Sequence, residues 1–181
     1  MSKASSERHL VLVGLMGSGK SSAGALCAKR LDRKFVDTDQ LVQDAAGMSI
    51  AKIFATLGES EFRLLERETV AQVAASNEPL VISCGGGVVI DPLNQSALRE
   101  SGYVVWLDAP IAELAQRATR RRGARPLLAE GDPVATLAAL AELRYGAYEA
   151  ASDVRIDTAG RGVSAVADLV IKAFTEMMGQ N

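Results

Sequence analysis

The chain has 181 residues, 48% of them apolar, 23% charged and 4% aromatic, with a formal net charge of −2. That length suits one α/β domain with a real core, so a single domain over residues 1–181 is expected. The near-neutral balance argues against a polyanion binder such as a nucleic-acid protein, and no apolar run approaches the length of a membrane span.

The opening MSKASSERH lacks the apolar stretch of a signal peptide, so a cytoplasmic protein is expected. Strand patterns follow at 9–14 (HLVLVG), 34–39 (KFVDTD), 80–84 (LVISC), 103–108 (YVVWLD) and 153–158 (DVRIDT). Helical patterns lie between and after them, at 21–32, 40–46, 50–57, 60–76, 94–101, 110–121, 133–149 and 163–178. This alternation predicts a three-layer α/β fold, a five-stranded parallel sheet with helices on both faces and ligands gathered at the strand carboxyl ends. Cys27 and Cys84 have no metal-ligand spacing and read as reduced packing residues.

Directly after the first strand pattern, Gly14, Gly19, Lys20 and Ser21 fill the spacing G-x-x-x-x-G-K-[ST], with Gly17 inside it. Glycines let the backbone wind closely enough to aim several N–H groups at one phosphate, and the helix that follows brings its positive end to the same place. Lys20 then reaches the outer phosphates and the Ser21 hydroxyl ligates a magnesium ion, while a chance glycine-serine turn is the plain alternative.

Asp37 and Asp39 stand two apart at the end of the second strand pattern, so in an extended backbone both carboxylates leave one face. Asp37 then suits a water of the magnesium shell, and Asp39 a substrate hydroxyl whose proton it draws off; the competing reading is that one of the two caps the next helix. In GESEFRLLERE, Phe62 and Leu65 mark a packed face, and Glu66 is three residues from Arg63, a spacing that fixes a guanidinium to grip a carboxylate. An ordinary surface ion pair has the same spacing.

Gly85, Gly86 and Gly87 follow the third strand pattern, and three adjacent glycines cost so much entropy that something should lie against their backbone. A small ring pressed onto it is one candidate, and a tight turn with positive φ the other. Arginines crowd 117–125 ahead of Asp132-Pro133, a helix-start pair, which suits a lid carrying Arg125 over the phosphates. On the next helix Arg144 offers a second positive grip beside Arg63 if the fold unites them, with Tyr145 and Tyr148 on the same helical pattern.

The segments GLMGSGKSS, FVDTD, IFATLGESEFRLLE, CGGGVV, RPLL and RYGAYEAAS, in that order over almost the whole chain, closely resemble shikimate kinase, a small P-loop kinase related in fold to the nucleoside monophosphate kinases. The resemblance implies transfer of the γ-phosphoryl group of ATP to the 3-hydroxyl of shikimate, a step towards chorismate and the aromatic amino acids. It implies a phosphate loop at 14–22, a substrate-binding segment at about 38–70 and a lid at about 117–132. ATP would be bound by Gly17, Ser18, Gly19, Lys20, Ser21, Ser22, Arg125 and Arg161, and Mg²⁺ by Ser21 with Asp37. Shikimate would be bound by Asp39, Arg63, Gly85, Gly86, Gly87 and Arg144, with Lys20, Asp39 and Arg125 as the catalytic groups.

The family's adenine-stacking arginine falls seven residues before Arg125, where this chain has Ala118 with Arg117 beside it. MSKASSER and GQN lie outside the resemblance and are expected as loose ends. A monomer whose partners are ATP and shikimate is expected. The rivals are a gluconate-type sugar-acid kinase, which would lack the glycine triplet with both arginines, and a non-catalytic ligand-sensing module, for whose DNA-binding region this chain has no length to spare.

Overall fold

The structure, a computed structural model, describes residues 8–120 and 131–179. Five strands, β1 (His9–Val13), β2 (Lys34–Asp37), β3 (Leu80–Ser83), β4 (Gly102–Asp108) and β5 (Val154–Asp157), form one parallel sheet in the order β2-β3-β1-β4-β5. All five residues of β1 are buried, as a central strand covered on both faces requires. Its register sets Val11 beside Ile82 of β3 and Val104 of β4, which fixes where the loops after these three strands emerge.

The pleat divides the core. Leu10, Leu12, Val105 and Leu107 face α1 (Lys20–Leu31) and α8 (Val163–Gly179), with Cys27 and Phe174 in the same cluster. Val11, Val13 and Trp106 face the other way, onto α4 (Glu59–Ala74), α5 (Pro92–Ser101), α6 (Ile111–Arg120) and α7 (Pro133–Ala151), with Cys84 and Tyr148 among them. A satellite core of Val42, Ile53 and Phe62 ties α2 (Thr38–Ala46) and α3 (Ile50–Thr56) to α4. The expected three-layer architecture is present, and both cysteines are buried and free.

Several boundaries differ for physical reasons. Asp37 caps α2, accepting from the backbone N–H groups of Asp39 (3.1 Å) and Gln40 (3.4 Å), so the helix starts at Thr38 and Asp39 lies in its first turn. The extended geometry expected to send Asp37 and Asp39 off one strand face is therefore absent, and the capping residue is Asp37. Asp91 caps α5 ahead of Pro92, and a 3-10 turn at Val88–Ile90 fills the interval after the glycines. Arg8, expected in a loose end, donates to the carbonyl oxygens of Arg99 and Gly102, and Gly179 closes α8. Among the described residues no helix is long and apolar enough to cross a membrane.

Candidate active site

The phosphate loop fills the gap between β1 and α1. Gly17 takes φ +85°, and a Cβ there would stand 2.3 Å from the carbonyl oxygen of Leu114; at Gly14, φ +141°, it would stand 2.2 Å from that of Leu107. Only glycine lets the chain turn this way while lying against the end of β4 and the start of α6. Lys20 curls back over the loop, its Nζ donating to the carbonyl oxygens of Gly14 (2.7 Å) and Leu15 (2.9 Å) and to Ser18 Oγ (3.4 Å). The first turn of α1 holds no acidic residue, so no side chain there offsets the positive end of the helix.

Ser21 Oγ donates to Asp37 Oδ2 at 2.8 Å and lies 3.3 Å from Ser83 Oγ, a neighbour that sequence reasoning did not supply. Hydroxyl and carboxylate oxygens suit Mg²⁺, which takes one or two protein ligands and completes its shell with phosphate and water. Among the described residues no group of three or more His, Cys, Asp or Glu is placed to hold a metal.

A cleft of about 270 Å³ opens beside the loop, between residues 17–23 and the side chains of Arg117 and Arg161. It brings together Gly17, Ser18, Gly19, Lys20, Ser21, Ser22 and Arg161, all expected at a nucleotide site. The family's adenine position had pointed to Ala118, but Leu114, Ala115 and Ala118 form the packed stripe of α6 and the next residue back, Arg117, meets the cleft. Its guanidinium donates to Thr158 Oγ1 (3.0 Å) and to the Thr158 carbonyl oxygen (2.7 Å).

On the other side of Lys20 lies the glycine triplet, each member facing a different charged group. A Cβ on Gly85 would stand 2.4 Å from Asp39 Oδ1, and one on Gly87 2.6 Å from Arg63 Nη1. On Gly86 it would be 3.6 Å from Arg144 Nη1 and 3.7 Å from the Gly14 carbonyl oxygen of the phosphate loop. None of the three has positive φ, so although the Val88 N–H donates to the Gly85 carbonyl oxygen at 3.1 Å, this turn does not itself demand glycine. The protein's own side chains lie against this backbone, and a larger residue at Gly85 or Gly87 would displace Asp39 or Arg63.

The Arg63–Glu66 pair is no ordinary surface pair. Glu66 is 2% exposed, and its Oε2 accepts from Arg63 Nη1 at 2.8 Å, while Glu59 Oε1 accepts from Arg63 Nε (3.3 Å) and Nη2 (3.1 Å). Burial pushes the Glu66 carboxyl above its ordinary 4.5, with Arg63 opposing that rise, and both Asp39 and Arg144 also act on its charge. For Arg63, burial works against the charge, yet Glu66 and Glu59 outweigh it and leave the guanidinium held more firmly charged.

Arg144 is 8% exposed. Its Nη1 donates to the Gly86 carbonyl oxygen at 3.1 Å, and its buried Nε has no hydrogen-bond partner among the described residues. Tyr148 donates its hydroxyl to the same carbonyl at 2.5 Å while its ring stacks on Trp106. Burial pushes the Tyr148 hydroxyl far above its usual range and keeps it a donor.

The fold thus unites Asp39, Arg63, Gly85, Gly86, Gly87 and Arg144 beside Lys20, Ser21 and Asp37. Arg125, and most of the lid expected at 117–132, lies outside the described residues. Tyr148 shares helical spacing with Arg144, four residues away, a signal too common to single it out in the sequence.

A family model described as shikimate kinase matches residues 16–175. A shikimate kinase of Symbiobacterium thermophilum is 47% identical over 170 residues, 93% of this chain and 97% of its own length. One of Geobacter sulfurreducens is 44% identical over 166 residues, 92% of this chain and 90% of its own. The solved structure of a shikimate kinase from Acinetobacter baumannii in complex with shikimate matches with a TM-score of 0.87 at 31% identity, covering 96% of this chain and 94% of that one.

Proposed function

The chain belongs to the shikimate kinase family, and on that premise we propose that it transfers the γ-phosphoryl group of ATP to the 3-hydroxyl of shikimate, giving shikimate 3-phosphate and ADP. The observation that carries this reading is the glycine triplet. Three consecutive backbone positions face, in turn, a carboxylate (Asp39), a buried guanidinium (Arg144) beside the phosphate loop, and a second guanidinium (Arg63). A small acid that is also an alcohol matches this set of groups, its carboxylate between the arginines and a hydroxyl turned to Asp39.

Arg63, held by Glu66, grips the acceptor's carboxylate together with Arg144, and charge-assisted pairs of this kind fix orientation as well as affinity. The 3-hydroxyl oxygen bonds to the γ-phosphorus as the bond from phosphorus to the ADP oxygen breaks, and Asp39 accepts the hydroxyl proton. Lys20 and the amides of residues 14–19 hold the phosphates in line, and Arg125 is assigned to the charge on the group in flight. Ser21 with Asp37 would hold Mg²⁺, which would supply positive charge to offset that of the phosphates. The protein works in the cytoplasm as a monomer, in the sequence of reactions leading to chorismate.

A coupled assay of ADP release with shikimate, gluconate and a panel of polyols tests the reading. Shikimate alone should drive turnover, with phosphorus appearing on its 3-oxygen by NMR, and Asp39→Asn should lose about 10²-fold or more in kcat while still binding ADP. Preference for gluconate, or wild-type turnover by Asp39→Asn, would overturn the assignment or the role of Asp39 respectively.

A further inference from the structure

The two walls of the nucleotide cleft come from distant parts of the chain, Arg117 from α6 and the Thr158–Gly162 turn from the segment after β5. One carboxylate joins them. Glu113 Oε1 accepts from Arg117 Nη2 at 2.5 Å and from the Gly160 N–H at 3.0 Å, with Oε2 3.3 Å from the same N–H. Glu113 and Arg117 side chains are 27% and 23% exposed, so the pair is largely shielded from water.

The turn itself is tightly specified. Gly160 sits at φ +63°, Asp157 Oδ1 accepts from the Ala159 N–H at 2.9 Å, and the Asp157 carbonyl oxygen accepts from Arg161 Nε at 3.1 Å. Arg117 in turn spends two donors on Thr158. Helix and turn are thereby locked at one separation, with the edge of the Arg117 guanidinium occupied by acceptors. A guanidinium held by its edge presents its flat face, the surface on which an aromatic ring stacks.

From this geometry we infer that Glu113 is a positioning residue for the nucleotide's base: it sets the width of the slot between Arg117 and the Gly160–Gly162 turn and so governs affinity for the nucleoside part of ATP, apart from the phosphates. The inference rests on reading this cleft as the nucleotide site. The phosphates are held on a different framework, the loop at residues 14–19 with Lys20; that loop packs on Leu114 of the same helix, but the Glu113 carboxylate directs its hydrogen bonds to Arg117 and Gly160. The base and the phosphates therefore depend on separable parts of the protein.

Calorimetric titration of wild type, Glu113→Ala and Glu113→Gln with ADP and with inorganic tripolyphosphate separates the two parts, with shikimate titration reporting on the rest of the site. Loss of charged hydrogen bonds from the clamp should weaken ADP binding by Glu113→Ala about tenfold, and leave tripolyphosphate and shikimate within about twofold. Glu113→Gln keeps an acceptor for Gly160 and should fall between. In steady state the same variants should raise KM for ATP and leave KM for shikimate unchanged. Equal weakening of ADP and tripolyphosphate would show a general structural role and overturn the inference, as would undiminished ADP binding. A wild-type protein that bound tripolyphosphate but gained nothing from the nucleoside would overturn the reading of the cleft, and the inference with it.

Discussion

Glu66 shows how one buried carboxylate can serve orientation at a cost in stability. It is almost wholly enclosed yet pairs with Arg63 at 2.8 Å, and enclosure raises its pKa above 4.5. Lowering the pH from neutral should neutralise it sooner than an ordinary carboxylate, release Arg63 and raise KM for shikimate. In Glu66→Gln, KM should already be raised and this inflection should be missing. Stability moves the opposite way. Above 4.5 and up to the raised value the folded protein binds a proton that the unfolded chain has released, so this group stabilises more as the pH falls. The melting-temperature difference between wild type and Glu66→Gln should therefore shift in favour of wild type on acidification. Identical KM profiles in the two proteins, or a difference that moved the other way, would remove Glu66 from this role. The sequence displayed the three-residue spacing but not the burial, since an exposed pair has the same spacing. Lys20 and Ser21 were legible because their motif acts through neighbours within a single turn of backbone, whereas Tyr148 acts on Gly86 across 62 residues.

The helices α2, α3, α5 and α7 each begin at a side-chain cap, and the sequence displayed only some of these starts. Asp132-Pro133 marked the start of α7 from sequence, and Asp132 indeed accepts from the Val134 N–H at 3.0 Å. Asp91-Pro92 carries the same signature, yet the expected start of that helix was 94, because the apolar VVI before it blurs the boundary between strand, turn and helix. Asp91 does more than cap: its Oδ1 accepts from the Leu93 N–H at 2.9 Å while Oδ2 accepts from Arg67 Nε of α4 at 2.7 Å. It thus ties the helix that carries Arg63 to the segment that follows the glycines. Asp91→Ala should cost about 1 kcal/mol for the lost cap, which is roughly 2–4 °C in melting temperature for a chain of this size. A calorimetric scan checks it, and an unchanged midpoint would show that the cap and the link contribute nothing.

At the scale of the molecule, the five strands and their parallel sense followed from the alternation of short apolar runs with helical patterns. Their order did not, because the hydrophobic period records which face a residue takes and says nothing of its lateral neighbour. The parallel sense puts the phosphate loop, Asp39 and the glycine triplet at one end of the sheet, and the order β2-β3-β1 sets them side by side. Nucleotide held in the cleft as proposed would bridge the loop after β1 and the turn after β5, so its binding should stabilise the whole fold. At a hundredfold excess over Kd, ligand linkage is worth about 2.7 kcal/mol, or roughly 5–10 °C for a protein of this length. ADP with Mg²⁺ should raise the melting temperature by that order, and chelating the Mg²⁺ should shrink the rise. No rise with ADP and Mg²⁺ would mean that nucleotide does not bind across the two halves.

The carboxylate of Asp37 divides its oxygens between two duties, Oδ1 toward the amides that open α2 and Oδ2 toward the Ser21 hydroxyl. Asparagine here would still start the helix with its amide oxygen, but would turn an NH₂ toward Ser21, leaving Ser83 Oγ at 3.3 Å as the acceptor within reach of that hydroxyl. On the proposed role of Asp37, a lineage drifting there would inherit a well-folded protein with a damaged centre, a defect that selection for folding alone would never notice.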